Sequence, residues 1–443
     1  MLTVEDGARY SMRTRYLVLA LPVVLVLNSC NSPDSTDWRT PIESPFAKTP
    51  IEELQERAEL NDFFAMVHLG WRYDTGTGVK QNPREAAIWY RLAGEKGSHS
   101  MAQNNLGCLY RDGRGVTQDY KMAATLFRSA GKLGNRHAKT NLGWLYERGY
   151  GVAVDYPQAL KLYTEAAMEM RGPKTGRMNS GHAMAQNNLG CLYRDGKGTR
   201  ADPYKAIKWF RKGAESGNHH AYYNLGVMYE RGLGVKADIQ KALNNYEKAL
   251  RAGNVYSMNA VAWIFEKGKK VPRNYPFATR YYKLAADRGY SMAMYNLACM
   301  LRDGRGMEAD PIAASVLMLK AAEKGNAYAQ ASYAWMLEKG VGVNKDYVKA
   351  AEWYRQAAEQ GLSVGQIQLA LLLASGVSGE KGMVAAYKWL AVAAGNGHEG
   401  AGKFLKTITK DMTKEQVADA KTMVTQFIAK PVIEDIRPEG PQG

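Results

Sequence analysis

The sequence predicts an all-α solenoid, a stack of about nine helix-turn-helix units closed by a helix at each end, and three observations predict it. A small residue recurs at Gly70, Gly107, Gly143, Gly190, Gly226, Ala262, Ala298, Ala334 and Ala370, at spacings of 37, 36, 47 and thereafter 36 residues. Six residues after each anchor stands a glycine, from Gly76 through Gly113 and Gly149 to Gly376. A further glycine closes every unit, from Gly97 through Gly134 to Gly397. Self-similarity on this scale means stacked units that touch only their neighbours and present surface, so binding is expected before catalysis.

The first thirty residues read as a secretion signal. Arg13 and Arg15 precede an apolar run from Tyr16 to Leu27 that ends in Leu27, Asn28, Ser29 and Cys30. A run this short cannot span about 30 Å of hydrocarbon, and a basic flank with a short apolar core and small residues is the pattern of export. Glu5 and Asp6 are out of character for the charged region of a signal, which makes Met12 a second candidate start beside Met1. The segment resembles the lipobox of bacterial lipoproteins. That resemblance implies diacylglycerol on Cys30 and, with Asn31 in place of an aspartate, anchoring at the outer membrane facing the periplasm. Residues 31–48, with Pro33, Ser35, Pro41, Ser44 and Pro45, read as a tether.

Thr49, Pro50 and Glu52 suggest a capping box with proline at the first helical position, opening an N-terminal cap helix over 49–61. The array then runs over 62–410. In its type unit, Ala102, Leu106, Gly107, Leu109 and Tyr110 lie at helical spacing, and Ala123, Phe127 and Ala130 do so after a break. Gly113 and Gly115 suit a left-handed helix stop and a tight turn, and Asp119 offers the N-cap of the second helix. Met101 to Gly113 is identical to Met184 to Gly196, 83 residues on, which points to duplication of a two-repeat block. The longer spacing places an insertion near 168–180, carrying Arg171, Pro173, Lys174, Gly176 and Arg177, expected as a helix extension or a basic loop. Thr413 and Gln416 open a last helix to about Lys430, so that 411–443 reads as a cap and a tail.

The motif Asn-Leu-Gly-x-Leu-Tyr, then Gly-x-Gly-Val, an aspartate, paired alanines and an aromatic pair as in Ala350, Ala351, Trp353 and Tyr354, resembles the Sel1-like repeat family. The resemblance covers about 60–406 and implies a right-handed solenoid related to tetratricopeptide arrays, whose first helices line a concave face. Lys270 and Ser378 depart from it at the second loop glycine.

Composition narrows the partner. The formal charge is +16, and the first thirty residues contribute little of it. Such a balance suits an acidic protein, anionic lipid or nucleic acid, or serves solubility alone. Besides Cys30 the chain holds Cys108, Cys191 and Cys299, in repeats two, four and seven. Helices two repeats apart are about 20 Å apart, beyond the roughly 7 Å reach of a disulfide, so all three are expected free and buried.

Enzyme-like motifs do not converge. Gly113-x-Gly115 recurs in nearly every unit and follows a helix, not the strand a nucleotide site requires. Ser129-x-x-Lys132 with Lys174-Thr175-Gly176 imitates two β-lactamase motifs, but the third, Ser-Asp-Asn, is missing. His68, His99, His137, His182, His219, His220 and His398 show no metal spacing. No catalytic residue, cofactor or metal is expected.

Helical geometry supplies a candidate surface. The arc of the first helices opposite the core carries Trp71, Trp144, Trp263 and Trp335 in one row and Asn104, Asn187, Tyr223, Asn259 and Tyr295 in another. Four residues past the anchor the charge alternates, with Arg111, Arg194 and Arg302 among Asp74, Glu147, Glu230, Glu266 and Glu338, as a ladder between neighbouring helices. Aromatics, amides and arginines on this arc are the expected contacts of a protein partner; packing between helices is the alternative reading of the tryptophans. By resemblance, Sel1-like periplasmic lipoproteins accompany secreted phospholipase toxins, notably of type VI secretion systems, and neutralise them. The expected function is therefore an immunity protein that covers an acidic phospholipase effector without chemistry of its own. An envelope scaffold for signalling or secretion complexes and a β-lactamase-like hydrolase are the alternatives. No nucleic acid is expected as partner, and the oligomeric state stays open.

Overall fold

The computed structural model describes residues 49–168, 170–171, 178–179, 181–377 and 382–427. Cys30, the signal, the tether, Lys174 to Gly176 and residues 428–443 lie outside the described residues. The chain divides into two compact units, with the boundary between Ala252 and Gly253.

In the first unit α1 (Ile51–Glu59) precedes five helix pairs. These are α2 (Phe63–Thr75) with α3 (Pro83–Lys96), α4 (Ser100–Asp112) with α5 (Tyr120–Lys132), and α6 (Arg136–Arg148) with α7 (Tyr156–Ala167). After β1 (Met170–Arg171) and β2 (Met178–Asn179) come α8 (Ala183–Asp195) with α9 (Pro203–Glu215), and α10 (His219–Arg231) with α11 (Ile239–Arg251). The second unit has four pairs: α12 (Val255–Lys267) with α13 (Tyr275–Asp287), α14 (Ser291–Asp303) with α15 (Pro311–Glu323), α16 (Ala327–Lys339) with α17 (Tyr347–Glu359), and α18 (Ser363–Ser375) with α19 (Met383–Gly395). It closes with α20 (Glu399–Thr409) and α21 (Lys414–Thr425). Within each unit consecutive helices pack on one another as far as α20, which is the expected repeat stack, and α21 packs back on α19.

Local chemistry sets the helix bounds. Helix α4 stops at Gly113, whose φ of 68° belongs to glycine, and the Gly113 N–H closes on the Leu109 carbonyl. The chain turns back, and Asp119 caps α5 by accepting from the backbone N–H of Lys121 and Met122 at 2.9 and 3.0 Å. Asp155, Asp202, Asp238, Asp310 and Asp346 cap the equivalent helices the same way. The anchor glycine has a packing cause. A Cβ on Gly107 would lie 2.7 Å from the Phe127 ring, so the ring sits closer to this first helix than an alanine would allow. Tyr90, Phe127, Tyr163, Phe210 and Tyr246 fill this place in the first unit, all fully buried. Each contributes on the order of 1.5–3 kcal/mol through its apolar surface.

Both ends differ from expectation, and at the insertion one of the two expected alternatives is excluded. Helix α1 is capped by Pro50 with no side-chain cap bond, so the Thr49–Glu52 box does not form. Pro50 has ψ 152°, which puts Thr49 one residue too early to cap, and the Thr49 carbonyl accepts from Arg72 Nη2 at 2.7 Å instead. The Thr413–Gln416 box does form, with bonds of 3.0 and 3.2 Å, but α21 ends at Thr425, short of Lys430. At the insertion no helix extension occurs. Met168 is extended at ψ 141°, and β1 and β2 pair antiparallel, Met170 opposite Asn179 and Arg171 opposite Met178. Pro173 with Gly172 and Gly176 gives a sequence unsuited to continuing the helix.

Cys108 and Cys299 are free and buried, and burial pushes the Cys108 thiol up to about 11. Cys191 is buried as well, with the Asn224 amide nitrogen 3.8 Å from its sulfur.

Candidate interaction surface

The arc opposite the core is not open. Of its twelve candidate residues, Asn104, Arg111, Trp144, Asn187, Arg194, Tyr223, Asn259 and Tyr295 are buried. Trp71, Trp263, Arg302 and Trp335 are half-buried. The cause is the stacking itself, because this arc faces the first helix of the neighbouring repeat. Asn141 donates through Nδ2 to Asn104 Oδ1 at 3.0 Å, Asn224 to Asn187 at 2.9 Å and Asn296 to Asn259 at 2.9 Å. An amide buried without such a partner would cost about 1–3 kcal/mol, so these bonds specify how repeats dock. Asn104, Asn187 and Asn259 are therefore stitches between repeats. Tyr223 and Tyr295 are packed against Tyr246 and Tyr328, with ring centroids 5.7 and 6.1 Å apart.

The alternating charges do not pair with one another along a surface ladder. They are mostly buried, and each finds a partner elsewhere. Arg111 forks onto Asp112 at 2.7 and 3.0 Å and reaches Asn141 Oδ1 at 3.3 Å in the next repeat. Arg194 repeats this with Asp195 and with Asn224 at 3.1 Å. The carboxylates accept from second-helix tyrosines: Glu147 from Tyr163 at 3.1 Å, Glu230 from Tyr246 at 2.7 Å, Glu266 from Tyr282 at 2.7 Å and Glu338 from Tyr354 at 3.0 Å. Burial, then the carboxylate charge, holds each of these tyrosines well above the ordinary phenol value. Pairing between repeats comes from the following loop, where Arg114 bonds Asp74 and Arg305 bonds Glu266. These contacts join one repeat to the next, as buried ion pairs that fix registry do.

The tryptophan row splits in two. Trp144 is buried and meets Tyr150 edge-on at 5.3 Å, so its place is packing. Trp71, Trp263 and Trp335 keep part of their surface in solvent, and the Arg302 guanidinium lies 5.5 Å from the Trp335 ring centroid. This half-buried set is the part of the predicted surface still able to meet a partner.

A histidine pair was not legible in the sequence. His182 Nε2 and His137 Nδ1 are 3.1 Å apart, and Thr140 Oγ1 is 3.0 Å from His182 Nδ1. Burial first, then His137 and Arg136, lowers His182 to about 3. The two lie 45 residues apart across the insertion, so no local spacing signals the contact. Among the described residues no group of three or more His, Cys, Asp or Glu is placed to hold a metal. Ser129 and Lys132 lie in α5, while the other half of the β-lactamase-like pattern is outside the described residues. No described helix is long and apolar enough to cross a membrane.

Nine segments, 64–98, 100–135, 136–169, 183–218, 219–254, 255–290, 291–326, 327–362 and 363–398, match the model of the Sel1 repeat. No curated protein matches the chain. Among solved structures the chain is similar to a protective antigen of uropathogenic Escherichia coli strains displaying an SLR fold. That match has 28% identity over 86% of this chain and 95% of the other, with a TM-score of 0.41. A Sel1 repeat protein from Oxalobacter formigenes shares 28% identity over 53% of this chain and 89% of its own, at a TM-score of 0.48. An immunity protein from Pseudomonas aeruginosa shares 20% identity over 58% and 94%, at 0.34.

Proposed function

The chain belongs to the Sel1 repeat family, and on that premise we propose that it is a lipid-anchored periplasmic protein that neutralises a secreted phospholipase-type enzyme by covering it. At the coarser level it is a Sel1-repeat protein-binding solenoid. The observation that carries the binding role is the half-buried set Trp71, Trp263, Arg302 and Trp335, because tryptophan and arginine with one side packed and one side wet are what interface anchors require. The secretion signal with Cys30 supports the compartment, and the formal charge of +16 favours an acidic partner. Covering an active site needs a rigid surface and no chemistry, which fits first helices whose buried asparagines join one repeat to the next.

The test is co-expression. Cells carrying the chain in the periplasm should survive the toxin encoded beside it, and cells without it should not. A neighbouring gene that encodes no envelope-targeted toxin would overturn immunity in favour of the scaffold role. One observation supports that second reading: the two compact units each carry their own half-buried tryptophans, as a protein joining two partners would.

A further inference from the structure

A cleft of about 360 Å³ opens on the second helix of the fourth repeat. Tyr204, Ile207, Lys208, Arg211, Lys212 and Glu215 of α9 line it, and the Gly234–Val235 turn of the next repeat forms its far wall. Tyr204 is 75% exposed, and Lys208 and Arg211 are exposed with it. Arg211 Nη2 donates to the Tyr229 hydroxyl at 3.0 Å, which sets the guanidinium at the rim, and Lys212 Nζ lies 5.4 Å from the Trp209 ring centroid. Three cations thus face one carboxylate around a recess floored by Ile207 and Val235. The repeat that shares the identical first helix does not have this set. In the 83-residue register of the duplication, Thr125 and Ser129 stand where Lys208 and Lys212 are, Lys121 where Tyr204 is, Arg128 where Arg211 is and Lys132 where Glu215 is. Both second helices are basic at these positions, and the fourth repeat differs in its exposed Tyr204 and in the carboxylate of Glu215.

We propose that this cleft docks an acidic segment of a partner protein, an apolar side chain entering the recess between flanking carboxylates. Charge complementarity selects the carboxylates, and the apolar floor selects the side chain between them. The volume lies at the low end of pockets that hold compact groups, about 300–1,000 Å³, and suits one or two side chains better than lipid chains. The cleft is on a second helix and not on the first-helix row, so its failure would leave the proposed function standing.

The probe is a fluorescein-labelled octapeptide of Asp and Glu with one central Phe, titrated against the folded chain by anisotropy. Lys208→Glu with Lys212→Glu should weaken it by about tenfold or more, and Tyr204→Ala, or glycine in place of the peptide's Phe, should weaken it severalfold, with melting temperatures unchanged in both variants. Equal binding by the charge-reversed variant would overturn the proposal. So would equal binding of the glycine peptide, which would reduce the cleft to diffuse charge. Retention on phosphatidylglycerol vesicles that depends on Lys208 and Lys212, without peptide binding, would overturn it in favour of a membrane contact.

Discussion

The hydroxyl of Tyr282 donates to Glu266 Oε2 at 2.7 Å, and the residue types at these two places change together along the chain. Tyr90, Tyr163, Tyr246, Tyr282 and Tyr354 stand sixteen residues after Asp74, Glu147, Glu230, Glu266 and Glu338. Phe127, Phe210 and Met318 stand sixteen after Arg111, Arg194 and Arg302, each followed by aspartate. A buried phenol needs an acceptor, which the carboxylate supplies in the four glutamate repeats and a guanidinium does not. Without the hydroxyl, arginine fits and forks onto the next aspartate.

Moving one repeat type into the other tests this. Glu338→Arg with Lys339→Asp leaves the Tyr354 hydroxyl proton without its acceptor and buries a cation, which should cost about 3–5 kcal/mol. Adding Tyr354→Phe completes the arginine-type set and should return a large part of that loss. Urea unfolding of the three variants measures it. No recovery on adding Tyr354→Phe would show the covariation to be incidental.

Trp144 is 9% exposed, so Trp144→Ala should cost about 3–5 kcal/mol of folding stability, as buried large-to-small changes do. Trp263→Ala, at a half-buried site, should cost distinctly less. Thermal melting of the pair decides, and equal losses would contradict the division of the tryptophan row.

Alkaline pH should unfold the protein cooperatively. The buried tyrosines Tyr163, Tyr246, Tyr282 and Tyr354 are raised well above 10 and Cys108 is raised from 9.0 to about 11. A group whose folded value is raised contributes stability that is complete below its unfolded value and lost as pH rises through the folded one. Stability should therefore hold to about pH 9 and fall above it. Phenolate absorbance followed against helical circular dichroism checks this: the buried class should ionise only as helix is lost. Ionisation of all tyrosines near pH 10 with the helix intact would contradict the packing.

Period, helix pairs and caps were legible because they depend on residues that act locally: Gly113 stops a helix and Asp119 starts one whatever the rest of the array does. The surface was legible only in part. A helical wheel tells core from its opposite arc, but in a stacked array that arc can meet another first helix. Asn104 and Arg111 were placed on the right face with the wrong neighbour, since Asn141 covers them from the next repeat. The His137–His182 contact was hidden for the same reason, with the longer repeat displacing the register between them. The Thr49 box failed on one residue of offset, which a proline at ψ 152° decides and a motif cannot.

Cys30→Ala should release the protein from membranes if the lipobox resemblance is correct. Fractionation of cells expressing the variant measures this. Full membrane retention would remove the lipid anchor from the account.

The most direct test of partner capture is inhibition, by purified protein, of the phospholipase-type enzyme proposed as its partner, titrated beside the Trp263→Ala, Trp335→Ala double variant. The wild type should abolish hydrolysis near a one-to-one ratio. The variant should melt close to wild type yet lose about 2 kcal/mol or more of affinity, roughly thirtyfold, as truncated interface tryptophans do. Hydrolysis that persists under excess wild-type protein, or inhibition by the variant at the same ratio, would contradict the account.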